Sequence, residues 1–285
     1  MSEENTRHSP IRRILVALDA SRSSLNALQT AVDLAARFNA ELLGFFVEDI
    51  NLLRLAQLPI AREVSFYSAQ TRRVKPVEME MQLRIQATRI RKTLAQLAEQ
   101  SGVTWEFRTS RGDVGAEVLA AGADVDLVVM GKIGRSLPGM QRTGSTMRML
   151  TMQRRGMTLI LESRVQLFKA PVVVVYDGTK TSIKAMHTAG YLARSLESPL
   201  TVLLVGNSES EIEEYHAKAR NLLHAQRVEA GFRRLLRPVM SGLAAAVRNE
   251  TIGPVILPCQ GDWFEGEKLF GLVERIENPV FLIRS

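Results

Sequence analysis

One cysteine, Cys259, stands in the whole sequence, which excludes a disulfide framework within the chain. Histidine is nearly as scarce, with four copies, scattered, and neither residue recurs at a metal-ligand spacing. Aromatic residues make up 6% of the chain. No aromatic platform lies among the arginines, as a nucleic-acid surface would need. No apolar run approaches the roughly 20 residues that cross a bilayer. The opening MSEENTRHSP has no apolar stretch and does not read as a secretory signal. Nothing resembles a Ser-His-Asp, kinase or deaminase constellation. These absences leave a globular protein without a metal or disulfide scaffold, with a cytoplasmic location as the expectation.

What is present is ample core material: 46% apolar against 24% charged residues over 285 positions, enough for two domains. The net charge of +7 sits in the first part of the chain. Residues 1–164 hold 23 basic against 17 acidic residues, and residues 165–285 hold 14 against 13.

The chain repeats itself. ILVALDA, residues 14–20, is an apolar strand ending in Asp19, and VVVVYDG, residues 172–178, restates it with Asp177. After each comes a helical segment opened by Ser or Thr, then a second apolar strand, Glu41 to Val47 in the first copy and Leu200 to Gly206 in the second. Strand, helix and strand in about 37 residues make a βαβ unit with a parallel sheet. The long period predicts two copies of one α/β domain, residues 1–164 and 165–285. In the first copy a long helix is expected over Val77 to Gln100, a strand over Val103 to Thr109, a helix capped by Asp113, a strand over Val125 to Met130 and a last strand over Thr158 to Leu161. In the second, strands are expected near Leu235 to Val239, Pro254 to Leu257 and Val280 to Ile283. Residues 49–76 mix apolar and basic residues with two prolines and give no firm assignment.

The densest signal is residues 125–147, VDLVVMGKIGRSLPGMQRTGSTM. A buried strand ends at Gly131, Gly134 follows, then Gly144 with Ser145 and Thr146 at a helix start. Glycines let backbone approach a ligand, and a helix N-terminus offers unpaired N–H groups and a positive dipole end. Lys132, Arg135 and Arg142 add cations, which suits a polyphosphate. The pattern is neither Walker A nor G-x-G-x-x-G.

The spacing G-x2-G-x9-G-S/T after a strand ending V-M-G resembles the nucleotide-binding signature of the universal stress protein family, and with the repeat the whole chain resembles a tandem universal stress protein. The resemblance implies two tandem five-stranded, mainly parallel open-sheet domains, Rossmann-like, in strand order 3-2-1-4-5. It implies that the signature loop and helix start, Gly131, Lys132, Ile133, Gly134, Arg135, Gly144, Ser145 and Thr146, hold ribose and phosphates. Asp19 matches the family aspartate beside ribose and adenine. Ala17 matches a backbone position next to it, and Val47 the residue whose backbone reads the adenine edge. The implied ligand is ATP, with ADP or AMP as alternatives and magnesium as its companion.

The second copy departs from the signature. Its loop reads CQGDWFEGEKLFG, with Glu265 and Glu267 where phosphates need cations, so nucleotide binding is expected in the first domain only. Asp177 then reads as a relic or a helix cap. Asp19 has the competing reading of a cap for the helix after the first strand.

The functional expectation is an adenine-nucleotide-binding regulatory protein of the stress-response type. A nucleotide-free adaptor of the same fold and a slow ATPase are the alternatives; no general base stands near the loop. A nucleic-acid role for Arg72, Arg73, Lys75, Arg84, Arg89, Arg91 and Lys92 is weighed against a solvated helix face, and the face is preferred. The methionines at 79–81 and 147–152 read as packing rather than a metal site. The two fifth strands, Thr158 to Leu161 and Val280 to Ile283, are expected to lie side by side within one chain as a pseudo-dimer. Leu52 to Phe66 is a candidate contact for a homodimer.

Overall fold

The computed structural model describes residues 11–58, 62–64, 71–73, 75–132, 144–162, 170–250, 253–261, 263–264 and 266–285. The first half runs β1 (Arg13–Leu18), α1 (Arg22–Phe38), β2 (Glu41–Asp49), α2 (Ile50–Gln57), β3 (Arg62–Val64), β4 (Thr71–Arg73), α3 (Pro76–Gln100), β5 (Trp105–Gly112), α4 (Val114–Ala121), β6 (Leu127–Gly131), α5 (Ser145–Gln153) and β7 (Gly156–Leu161). The second runs β8 (Val172–Tyr176), α6 (Lys180–Ser195), β9 (Leu200–Gly206), α7 (Glu209–Ala225), β10 (Ala230–Leu236), α8 (Met240–Glu250), β11 (Val255–Pro258), α9 (Gly266–Arg275) and β12 (Val280–Arg284).

The strands of both halves form one ten-stranded sheet, ordered β10-β9-β8-β11-β12-β7-β6-β1-β2-β5. Each half alone reads third, second, first, fourth, fifth strand, and within it every pair is parallel. At the centre β7 and β12 pair antiparallel, with Leu159 opposite Phe281 and Val280 opposite Ile160. Neither fifth strand is therefore an open edge.

The central strands are apolar throughout because helices cover both faces. Ile14, Val16 and Leu18 join α1 and α3 on one side, and Leu15 joins α4 and α5 on the other. Serine, threonine and aspartate start the helices as their cap chemistry requires: Ser21, Asp113, Thr179 and Ser208 each accept from a backbone N–H three residues on.

The expected strand near Leu235 to Val239 is displaced: β10 starts at Ala230. It is an edge strand whose exposed positions alternate with half-buried ones, so its apolar content is diluted. Leu236 and Val239, which drew the sequence assignment, are 48% and 68% exposed. The unassigned stretch 49–76 contains α2, capped by Asp49, and the antiparallel pair β3–β4. On α3 the stripe Leu83, Ala87, Ile90 and Leu94 is buried, while Arg84, Arg89, Arg91 and Lys92 are exposed, as a solvated face would be. Met147 is fully buried in the core. Among the described residues no helix is long and apolar enough to cross a membrane, and no cluster of metal-ligating side chains occurs.

Candidate functional site

The sequence order of the sheet reverses between β1 and β6, which are hydrogen-bonded neighbours. β1 leads into α1 on one face and β6 leads toward α5 on the other. Two helices diverging from adjacent strands open a crevice at the carboxyl ends, where ligands of such sheets bind. Ala17, Asp19, Val47 and Gly131 all belong to this edge of β2, β1 and β6.

At the end of β1 the Asp19 carboxylate accepts the Ser21 N–H at 2.9 Å. Ser21, in turn, caps α1 by accepting from the Ser24 N–H at 3.1 Å. The capping role considered for Asp19 thus belongs to Ser21, and Asp19 shapes the turn before the cap. Between them Ala20 has φ of 61°, in the left-handed region. Such a conformation costs a non-glycine residue about 1–2 kcal/mol.

At the end of β6, a Cβ on Gly131 would come 2.3 Å from Ser23 Oγ and 2.9 Å from the Ser23 carbonyl carbon. Only glycine lets the strand end pass so close to the first turn of α1. Gly144 is the N-cap of α5, with φ −59° and ψ 143°, so its backbone does not demand glycine. No described atom lies within 4 Å of where its Cβ would be. Among the described residues no cap side chain serves the α5 amides, and the first turn holds no acidic residue. The start of α5 is therefore chemically fit for an anion, with exposed Ser145 and half-buried Thr146 as its first residues.

Val47 lies near the end of β2, 8% exposed, opposite Ser110 of β5. The Ser110 hydroxyl is buried without a hydrogen-bond partner among the described residues. A buried unpaired hydroxyl costs free energy that a ligand polar atom would recover. Sequence reasoning missed Ser110, because one serine in an alternating strand carries no signal. Of the other expected site residues, Ile133, Gly134, Arg135 and also Arg142 lie outside the described residues.

Lys132, expected among the loop cations, goes elsewhere. It is 8% exposed. Its ammonium donates to the carbonyls of Glu274 and Ile276, both at 2.9 Å, and to Glu162 Oε2 at 3.3 Å. Three donors meet three acceptors, so the charge is committed within the protein and is not offered to phosphate. The sequence could not show this, because the two carbonyl acceptors lie some 140 residues away and Glu162 lies 30.

The second half shows what a degenerate crevice looks like. With Asp19 equivalent to Asp177, Val16 is equivalent to Val174, and their strand partners are Val129 and Ile256. That register sets Pro258 at the position of Gly131 and Cys259 at Lys132. The hydrogen bonds agree: Lys132 N–H donates to Leu161 O at 2.7 Å, and Cys259 N–H to Ile283 O at 2.8 Å. Thr181, in the place of Ser23, bonds Gln260 Oε1 and lies 3.1 Å from Ser285 Oγ. A Cβ on Gly261, whose φ is 103°, would stand 2.6 Å from Asp177 Oδ2. The Asp177 carboxylate accepts from both the N–H and the hydroxyl of Thr179, which is the helix cap, and the residue is only 7% exposed. In the second half Gln260 and Gly261 thus lie against Thr181 and Asp177 at the strand ends. Burial pushes the Cys259 thiol up to about 12, so it is no nucleophile.

Residues 10–150 match the model of the universal stress protein family. The chain belongs to that family. A universal stress protein from Archaeoglobus fulgidus DSM 4304 superposes with a TM-score of 0.73 at 16% identity, over 95% of this chain and 98% of that one. A putative universal stress protein from Pseudomonas aeruginosa UCBPP-PA14 gives 0.61 at 14% identity, over 99% and 95%. At these identities the likeness is one of fold, and it extends over both halves. No curated protein matches the chain by sequence.

Proposed function

We propose that this universal stress protein binds one adenine nucleotide, ATP in the first instance, in the crevice of its first half, and acts as a nucleotide-responsive regulator of the stress-response type. The observation that carries the reading is the contrast between two crevices of one fold. The first retains glycines at 131, 134 and 144 and a helix start that, among the described residues, is uncapped and acid-free; the second has Pro258 in place of the first glycine, and its Gln260 and Gly261 lie against Thr181 and Asp177. The α5 amides with Ser145 and Thr146 would take phosphate, Asp19 the ribose, and Ala17 and Val47 the base through backbone. Bound nucleotide would supply charge and, with magnesium, a binding state that the protein reads. The pairing of β7 with β12 supports a second element of the proposal: the chain works as a built-in pair of domains, in which the second replaces a partner subunit.

The test is chemical. Full-length protein purified from cells is denatured, and the released material is read by absorbance and mass spectrometry. ATP, ADP or AMP near one per chain is expected for the wild type and none for Gly144→Glu, whose carboxylate would repel phosphate at the helix start. A wild type that neither carries nor accepts an adenine nucleotide defeats the proposal.

A further inference from the structure

The signature loop runs from Lys132 to the start of α5, and both of its ends are fastened to one helix of the other half. At the near end the Lys132 ammonium sits on the last carbonyls of α9, those of Glu274 and Ile276, and is closed in by Glu162. A lysine there satisfies unpaired carbonyls and meets the negative end of the helix dipole. At the far end Arg148, one turn into α5, pairs with Glu267 in the first turn of α9 and lies 5.1 Å over the Phe270 ring. From Glu267 to Ile276 is about 14 Å of helix. α5 is also held from behind, where Arg284 of β12 donates to the Thr151 carbonyl at 2.8 Å.

The lysine contact is one-sided. The position of Lys132 in the second half is the buried, apolar-packed Cys259, which sends no charge to α5.

We infer that α9 of the second half is a splint for the signature loop, that Lys132 is its positioning residue, and that occupancy of the first crevice is thereby coupled to order in the second half. Because coupling is reciprocal, whatever grips or releases α9 changes affinity in the first crevice by the same factor. The ligand side of this inference rests on the nucleotide reading above; the splint itself does not.

Hydrogen exchange read by mass spectrometry on the full chain separates the two. Without nucleotide, Lys132→Met keeps the aliphatic stem and removes the charge. Exchange across residues 148–153 of α5, whose amides are hydrogen-bonded within the helix, is expected to rise about tenfold, with Lys132→Arg restoring much of the protection. Unchanged exchange in a folded Lys132→Met protein overturns the splint. Should that variant not fold, Arg148→Met, which removes the pair with Glu267 at the other end of α9, is read against the same expectation, and unchanged exchange there overturns the splint. With saturating ATP, exchange across residues 266–275 should slow in the wild type and not in Lys132→Met. ATP bound with no slowing in α9 overturns the coupling. If no ATP binds, the nucleotide reading falls, and the nucleotide-free comparison alone decides the splint.

Discussion

Ala20 is a residue at which the chain accepts strain in order to turn. Its φ of 61° sits between β1 and the cap of α1, and the equivalent position in the second half is Gly178, with φ of 77°. Glycine at position 20 would adopt the turn without the Cβ penalty. Ala20→Gly is therefore expected to raise stability by up to about 1 kcal/mol, measured as an increase in the urea midpoint. Gly131 points the other way. Any side chain there meets Ser23, so Gly131→Ala is expected to cost about 1–3 kcal/mol in the same titration. Cys259 fixes a pH dependence. Its ordinary value of 9.0 is raised to about 12 by burial. Below pH 9 both folded and unfolded thiols are protonated and the full stability is present. Between 9 and about 12 the unfolded thiol ionises and the folded one does not, so unfolding releases a proton and stability falls with rising pH. Cys259→Val should flatten that part of the profile, while native Cys259 should stay unreactive to a thiol reagent at pH 8.

Elements differ in how openly the sequence announces them. β1, β6, β8 and β11 are buried on both faces, so each is a run of β-branched and aliphatic residues that can be recognised without context. β10 has one neighbour, and its alternation hid it. β3 and β4 are three residues each, too short for any period to appear. The site shows the same division. Glycines and the Gly-Ser step at α5 were legible because their use is local. The burial of Lys132 and the unpaired hydroxyl of Ser110 were not, because both are set by residues far away in sequence. The opening of α1 by serine held, with Ser21 as its cap, and the competing reading of Asp19 as that cap did not. For the insertion the expectation is mixed. Leu53 and Ala56 of α2 are packed against the protein, while Leu55 and Leu58 are 44% and 47% exposed; Phe66 lies outside the described residues. A cleft of about 290 Å³ separates α2 from the start of α3 and is lined by Leu53, Arg54, Pro76 and Arg111. If the exposed leucines carry a homodimer contact, Leu55→Glu with Leu58→Glu should halve the mass seen by light scattering without altering the melting temperature by more than a few degrees. An unchanged mass assigns those side chains no role in assembly.

At the scale of the molecule, the two halves share one sheet through β7 and β12, and the seam is apolar on both faces. Phe281, fully buried opposite Leu159, is the largest side chain on it. Phe281→Ala is expected to cost about 3–5 kcal/mol and to lower the transition of the whole chain as one unit. Two separated transitions in calorimetry would instead show halves that unfold independently. The central claim is narrower: one fold, present twice, keeps one working crevice. Isothermal titration of the full chain with ATP tests it most directly. The account predicts one site per chain, lost in Gly144→Glu and retained when Asp177 in the second half is changed to Asn. Two equivalent sites per chain, or one site that survives Gly144→Glu, would contradict it.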